Sequence, residues 1–194
     1  MKEKTIELVF HGPYRFVDGP DSLFFSDFAK CEGIYIWTIK DELHKMNYVH
    51  YIGETTAFAK RQRDHLIHIT GQNYRIIDAD WAIQGIEKIV WNGLWRDRSK
   101  TAVQNLLDKY VDNSKKVVDY VGIINVYFAP TTMPSDIRRH IEGCLGWNMR
   151  LNYPDLKVFY PNDNIISKPL EIKGFNLRIT LPEAIDGIDS ELKI

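Results

Sequence analysis

The sequence predicts a protein of the α/β class in the α+β sense: a small mixed, largely antiparallel sheet flanked by helices, with a loop-rich C-terminal tail. Two neighbouring runs, residues 33–39 and 48–52, are rich in β-branched and aromatic residues and are joined by a polar link, which favours an antiparallel hairpin. Later segments show the apolar spacing of helices. The chain has 194 residues, of which 44% are hydrophobic, and this is enough for one buried core.

The predicted elements follow the order β-β-α-β-α-β-α after a short N-terminal strand. Thr55 or Thr56 can cap the first helix, because a hydroxyl oxygen accepts a hydrogen bond from a backbone amide of the first turn. Ser135 is the expected N-cap of the last helix, with Asp136 favourable in its first turn. The predicted helices cover residues 57–69, 101–111 and 134–147. The predicted strands cover residues 5–10, 33–39, 48–52, 86–91, 118–128, 157–160 and 176–181.

Composition is typical of an intracellular globular protein. The formal net charge of -1 and the pI of about 6.6 count mildly against a strongly basic nucleic-acid binder, although charge segregated onto one face would allow binding. Cys31 and Cys144 form no CxxC pair, which argues against a structural zinc site or a disulfide framework and favours reduced thiols. The N-terminus does not resemble a signal peptide, and no apolar run approaches about 20 residues. We therefore expect a soluble, cytoplasmic protein without a membrane partner.

Two short motifs on the predicted hairpin carry the functional signal. The tripeptide GIY at residues 33–35 begins one strand, and YIG at residues 51–53 ends the next. Either tripeptide alone is weak, because aromatic and β-branched residues are common in strands. Arg61 and His65 follow on the next helix, four residues apart, so both side chains project from one helix face. The combination is much more specific than its parts.

These residue types suit the cleavage of a phosphodiester, which needs an activated water and neutralisation of the developing phosphoryl charge. Facing strands can bring Tyr35 and Tyr51 together, and their hydroxyls can hold a water and pass its proton. Because a free tyrosine has a pKa near 10, base catalysis requires a neighbouring cation or metal that lowers this pKa. Arg61 can fork onto a phosphate, and His65 can donate to the phosphate or relay a proton. The structural alternatives are core-edge tyrosines, a solvated arginine and a surface histidine.

The combined pattern resembles the GIY-YIG nuclease superfamily, which includes homing endonucleases, some restriction enzymes and the incision subunit of nucleotide excision repair. The resemblance covers residues 33–65 and extends more loosely to about residue 160. The interval between the two tyrosines is longer than is usual in the family, which implies a longer connecting loop. The resemblance implies a nuclease-like domain at residues 31–165, an N-terminal extension of residues 1–30 packed on it and a C-terminal extension of residues 166–194.

The resemblance also implies a metal-dependent endonuclease that hydrolyses nucleic-acid phosphodiester bonds with one Mg²⁺ or Mn²⁺ ion, with DNA favoured over RNA. The implied catalytic residues are Tyr35, Tyr51, Arg61, His65 and Glu142. Glu142 matches the family's metal-binding glutamate and lies beside an apolar helical stripe, where a carboxylate can face a cleft. One carboxylate plus the substrate phosphate is enough for a hard cation that keeps several waters. The alternative is that Glu142 pairs with Arg138 or Arg139 on a solvated face.

Other polar residues complete the predicted site. The family often adds an asparagine, and the candidates are Asn152, Asn162 and Asn164. The expected nucleic-acid contacts are Lys60, Arg63, Arg138 and Arg139, with Arg96, Arg98 and Lys100 as further basic candidates. Trp95 can either stack on a base or belong to the core.

Two alternatives to an active nuclease stay open. The first is a catalytically inactive module of the same fold that binds nucleic acid or protein, as the near-neutral charge suggests. The second is a coincidence of motifs in an unrelated α/β domain. The oligomeric state is open as well, because one active site cuts one strand and duplex cleavage requires a dimer or two sequential events.

Overall fold

The computed structural model describes residues 4–17, 19, 22–155 and 175–193. The strands are β1 Lys4–Val9, β2 His11–Tyr14, β3 Gly33–Lys40, β4 Asn47–Thr55, β5 Ile76–Ile77, β6 Ile89–Trp91, β7 Ile124–Pro130, β8 Phe175–Thr180 and β9 Glu191–Lys193. The helices are α1 Phe58–Thr70, α2 Ala79–Ala82, α3 Ala102–Gly122 and α4 Ser135–Asn152. The prediction of mixed α and β structure, with a largely antiparallel sheet flanked by helices, is confirmed.

The main sheet has four strands in the order β2-β7-β3-β4, and every neighbouring pair is antiparallel. Strand β3 lies between β7 and β4, and all of its residues except the terminal Lys40 are buried. A strand covered on both faces needs a nearly continuous apolar sequence, and GIYIWTIK supplies it. The predicted hairpin is therefore present, and it places both tripeptide motifs at the same end of the β3–β4 ladder.

Two smaller sheets accompany the main one. Strand β1 pairs in parallel with β8, which pairs antiparallel with β9, so the predicted N-terminal and C-terminal extensions share a sheet. Strand β2 also lies within the predicted N-terminal extension and forms an edge of the main sheet. Strands β5 and β6 form a two-stranded ladder between α1 and α3. The strand predicted at residues 157–160 lies outside the described residues.

Helix α1 packs on the main sheet through Phe58, whose ring stacks on Phe128 at a centroid separation of 4.2 Å. Its N-cap is Ala57 rather than the predicted Thr55 or Thr56. The Thr55 hydroxyl instead accepts a hydrogen bond of 3.0 Å from the Ala57 amide, one residue before the helix begins. The threonine thus shapes the turn that leads into α1.

Helix α4 is longer than the predicted 134–147 and begins at Ser135, so Pro134, not Ser135, is the N-cap. Its buried residues include Ile141, Leu145 and Met149, spaced four apart. This spacing keeps one side of the helix against the core past Gly143 and Gly146. It explains why the helix continues for an extra turn at its C-terminal end.

The prediction of a strand over residues 118–128 is wrong for its first part, because α3 continues to Gly122 and β7 begins at Ile124. Val117, Tyr120 and Val121 are buried at helical spacing, and this packing outweighs the strand preference of valine and tyrosine. Within the part of the chain that the structure describes, no helix has both the length and the hydropathy of a membrane-crossing segment.

Candidate active site

The two motif glycines make close backbone packing possible around Tyr35. Tyr35 lies opposite Gly53 in the β3–β4 register. A Cβ atom on Gly53 would lie 2.3 Å from both Cζ and the hydroxyl oxygen of Tyr35. A Cβ atom on Gly33 would lie 2.1 Å from the carbonyl oxygen of Ala129 on the adjacent strand. Any larger residue at either position would displace the hairpin or the Tyr35 ring.

Tyr35 and Tyr51 form an inner and an outer member of one pair. Their rings are nearly parallel, with a centroid separation of 5.9 Å and an interplanar angle of 15°. Tyr35 is 0% exposed, whereas Tyr51 is only partly buried and lines an open cleft. Tyr51 is therefore the tyrosine that a substrate can reach, and Tyr35 lies behind it.

His65 joins the buried tyrosine to a residue outside the motifs. The Tyr35 hydroxyl lies 2.7 Å from His65 Nε2, and His65 Nδ1 lies 3.2 Å from the Tyr74 hydroxyl. Burial, and then the nearby Arg61 charge, lower the pKa of His65 to about 3. His65 is therefore neutral at physiological pH, so one ring nitrogen donates and the other accepts.

Arg61 lies close enough to the tyrosine pair for its positive charge to act on both hydroxyls. Burial raises the pKa of Tyr35 well above its ordinary range, and the Arg61 charge only partly opposes this. Burial is also the main cause that raises the pKa of Tyr51, and the negative charge of Glu142 raises it further. The positive charge of Arg61 lowers this pKa and so partly opposes both effects. Both phenols are therefore protonated in the free protein at neutral pH.

Glu142 approaches the same group from α4. Burial, followed by the negative charge of Glu54, raises the pKa of Glu142 to about 7, although Arg61 and Arg139 act in the opposite direction. The ion pairs of Arg138 and Arg139 are formed with Glu54 rather than with Glu142. Among the described residues, Glu142 is thus a half-buried carboxylate whose charge is incompletely balanced.

Arg138 corrects one prediction. Its side chain is 2% exposed and is held by Glu32 at 2.5 Å, by Glu54 at 3.1 Å and by the carbonyl oxygen of Met133. The prediction that Arg138 contacts nucleic acid is wrong, because its helical position faces the sheet and its donors are occupied by carboxylates. The other predicted contacts, Lys60, Arg63 and Arg139, have exposed side chains.

Asn152, the one candidate asparagine among the described residues, does not lie beside the tyrosines. Asn152 is exposed at the C-terminal end of α4, where its amide donates to Asn148 at 2.7 Å. Asn148 in turn donates to Asp189 at 2.6 Å, which ties α4 to the C-terminal part of the chain. Asn162 and Asn164 lie outside the described residues.

A cleft of about 900 Å³ opens beside Tyr51 and Arg61. Its other wall comes from the segment between α1 and α3, including Tyr74, Trp95, Arg96 and Arg98. Trp95 is 55% exposed, so it does not belong to the core. The roles of Tyr74 and of the cleft could not be read from the sequence, because no motif or regular spacing links this segment to the tyrosines.

The site can hold an anionic group against Arg61 and can move a proton along linked hydroxyls, and it offers one carboxylate to a cation. Among the described residues, no group of three or more His, Cys, Asp or Glu side chains is arranged to hold a metal ion. A comparison of the chain with protein-family models, curated proteins and solved structures gives no match.

Proposed function

We propose that the protein is a metal-dependent endonuclease of the GIY-YIG type that hydrolyses nucleic-acid phosphodiester bonds. The observation that carries the proposal is the convergence of the five predicted residues. Tyr35, Tyr51 and His65 are linked by a hydrogen bond and ring contacts, and Arg61 and Glu142 interact electrostatically with this group. These residues come from four different elements, so a chance meeting of motifs in an unrelated domain would not be expected to assemble them.

The donor chemistry around Glu142 fits a hard divalent cation. Its carboxylate is an oxygen ligand whose pKa is raised to about 7 by burial and by Glu54, so a nearby cation would favour the ionised form. Glu142 would hold a Mg²⁺ or Mn²⁺ ion, which would supply positive charge to offset the charge that develops during phosphodiester cleavage. Few protein ligands are needed, because a nucleic-acid phosphate contributes its own oxygens.

The remaining residues position the phosphate and the attacking water. Arg61, which is charged at all relevant pH values, donates to a phosphate oxygen and stabilises the growing negative charge. Tyr51, the outer tyrosine, orients the water. Tyr35 packs against the ring of Tyr51 and hydrogen-bonds to His65, and so holds the outer tyrosine in position.

The experiment is a cleavage assay on supercoiled plasmid and on labelled single-stranded DNA and RNA, with Mg²⁺, with Mn²⁺ and with chelator. The expected result is metal-dependent cutting that Glu142→Ala and Arg61→Ala both abolish. Lys60→Ala is the matched control, since Lys60 is exposed on the same helix as Arg61 and should reduce cutting only slightly. Absence of cutting by the wild type, together with equal metal affinity in wild type and Glu142→Ala, would refute the proposal.

The second candidate is a catalytically inactive module that binds nucleic acid through the same surface. Complete burial of Tyr35 and the net charge of -1 favour it. In that case the wild type binds oligonucleotides, Arg61→Ala weakens this binding, and no form of the protein cuts under any metal condition.

A further inference from the structure

The cleft beside the tyrosine pair differs in charge from the rest of the molecule. The whole chain has a formal net charge of -1. Yet the described residues that line the cleft include four arginines and no aspartate or glutamate. Positive charge is therefore concentrated at this one concave surface, where it attracts an anionic ligand. One of the four, Arg75, is paired with Glu87 at 2.7 Å, and Arg96 and Arg98 are exposed.

An aromatic platform forms one wall of the same cleft. The rings of Trp95 and His68 lie 4.6 Å apart, and those of Trp95 and Tyr74 lie 5.0 Å apart at 72°. These neighbours fix the orientation of Trp95, but more than half of its surface stays open to solvent. A held, exposed indole between arginines is the arrangement that proteins use to stack an unpaired base while cations contact the backbone.

The platform is directly connected to the proposed catalytic residues. Tyr74 contacts Trp95 through its ring and His65 through its hydroxyl. Arg61 and Tyr51 line the cleft as well. A nucleotide whose base stacks on Trp95 would therefore place an adjacent phosphate within the reach of Arg61.

The size of the cleft limits what can enter it. A pocket of roughly 300–1,000 Å³ encloses a small organic molecule, and this cleft of about 900 Å³ falls within that range. In an intact duplex the bases are stacked on their neighbours, so no base face is open to an indole unless it leaves the helix. The cleft therefore selects for a strand with unpaired nucleotides.

We propose that the cleft between α1 and residues 73–98 binds an unpaired nucleotide of the substrate strand, with its base on Trp95 and its phosphates at Arg61, Arg96 and Arg98. This inference rests on the proposed function for the identity of the reaction, and it adds the substrate class. The favoured substrate is single-stranded nucleic acid, or a duplex with a single-stranded overhang, rather than a blunt duplex.

The test measures binding separately from cleavage. Fluorescence anisotropy with chelator present would compare a labelled short single strand, the same strand with a partial complement that leaves an overhang, and the blunt duplex. The expected order of affinity is single strand and overhang above blunt duplex. Trp95→Ala should weaken single-strand binding by roughly 5- to 150-fold, the range for losing one stacked base, whereas Trp95→Phe should restore most of it.

Trp81 provides the matched control. It is 41% exposed on α2, lies outside the cleft lining and is covered by Lys88, whose Nζ is 4.9 Å from the ring centroid. Trp81→Ala should bind the single strand as the wild type does. Equal binding by Trp95→Ala and wild type, or tighter binding of the blunt duplex, would overturn the inference. Such a result combined with metal-dependent cutting would refute nucleotide binding in the cleft and support the proposed nuclease function. Trp95-dependent binding without any cutting would support nucleotide binding in the cleft and refute the nuclease function.

Discussion

Two neighbouring clusters of buried ionisable groups differ in how their charges are balanced. In the first, Arg138 lies between Glu32 and Glu54, within hydrogen-bonding distance of both. In the second, Glu142 and His65 both have pKa values displaced toward their neutral forms, mainly by burial. Glu54 is close to both clusters, since it pairs with Arg138 and also acts on Glu142.

The difference separates a structural role from a functional one. A buried arginine with two carboxylate partners joins α4 to the ends of β3 and β4 and holds the hairpin in place. Burial keeps Glu142 partly neutral and His65 neutral, which does not by itself stabilise the free protein. Displaced pKa values of this kind concentrate at sites that bind or react. We therefore expect mutations in the first cluster to reduce stability and mutations in the second to reduce activity.

The largest expected effect on stability comes from Arg138→Met. Removing one partner of a buried ion pair leaves uncompensated charge and costs about 3–5 kcal/mol, and here the charge would lie on Glu54, which is 15% exposed. Arg139→Met is the control, because its side chain is 70% exposed and should contribute about 0–1 kcal/mol. Urea unfolding measures both, and equal losses for the two variants would contradict the assignment of a structural role to Arg138.

Gly53→Ala tests whether the hairpin is built around Tyr35. The added methyl group would lie 2.3 Å from the Tyr35 ring, and overpacking of this kind costs about 1–3 kcal/mol. Gly122→Ala is the control, since nothing lies within 4 Å of the added atom at the end of α3. That variant should be neutral or slightly more stable. An unchanged unfolding midpoint for Gly53→Ala would show that the Tyr35 ring can adopt another position at no cost in stability, and would contradict tight packing of the hairpin around it.

His65 should make stability depend on pH. Its folded pKa of about 3 lies below the ordinary value of 6.5, so the unfolded chain takes up a proton first as the pH falls. The part of the free energy of unfolding that depends on a neutral His65 is fully present above about pH 6.5 and decreases toward pH 3. About 2 kcal/mol of it is lost between about pH 7.5 and pH 5. Denaturant titrations of the wild type and His65→Gln isolate this contribution as a difference. A difference that does not vary with pH would contradict the burial of a neutral imidazole.

The hairpin was predictable from the sequence because its information is local. Strand-forming residues, a polar link and two glycines specify the ladder that brings Tyr35 and Tyr51 together, and helical spacing places Arg61 and His65 on one face. The family resemblance, not spacing, pointed to Glu142 on a helix more than 70 residues further along the chain.

The incorrect predictions concern burial set by distant parts of the chain. Arg138 looks like a surface charge in the sequence, and only the fold brings Glu32 and Glu54 to it. Residues 118–122 have strand-forming side chains, but their pattern of burial against the core continues α3. The Trp95 platform depends on contacts between α1 and the following irregular segment, and no periodicity predicts these contacts.

The most direct test of the comparison uses two glutamates that differ in their partners. Single-strand and plasmid cutting with Mg²⁺ would be measured for wild type, Glu142→Gln and Glu54→Gln, together with the unfolding free energy of each. We predict that Glu142→Gln loses about 10³-fold or more in cleavage rate, as for the loss of a group that stabilises transition-state charge, and keeps its stability. Glu54→Gln should lose stability and still cut. Retained cutting by Glu142→Gln, with cutting lost only in Glu54→Gln, would contradict the assignment of the active site to the cluster that contains Glu142 and His65.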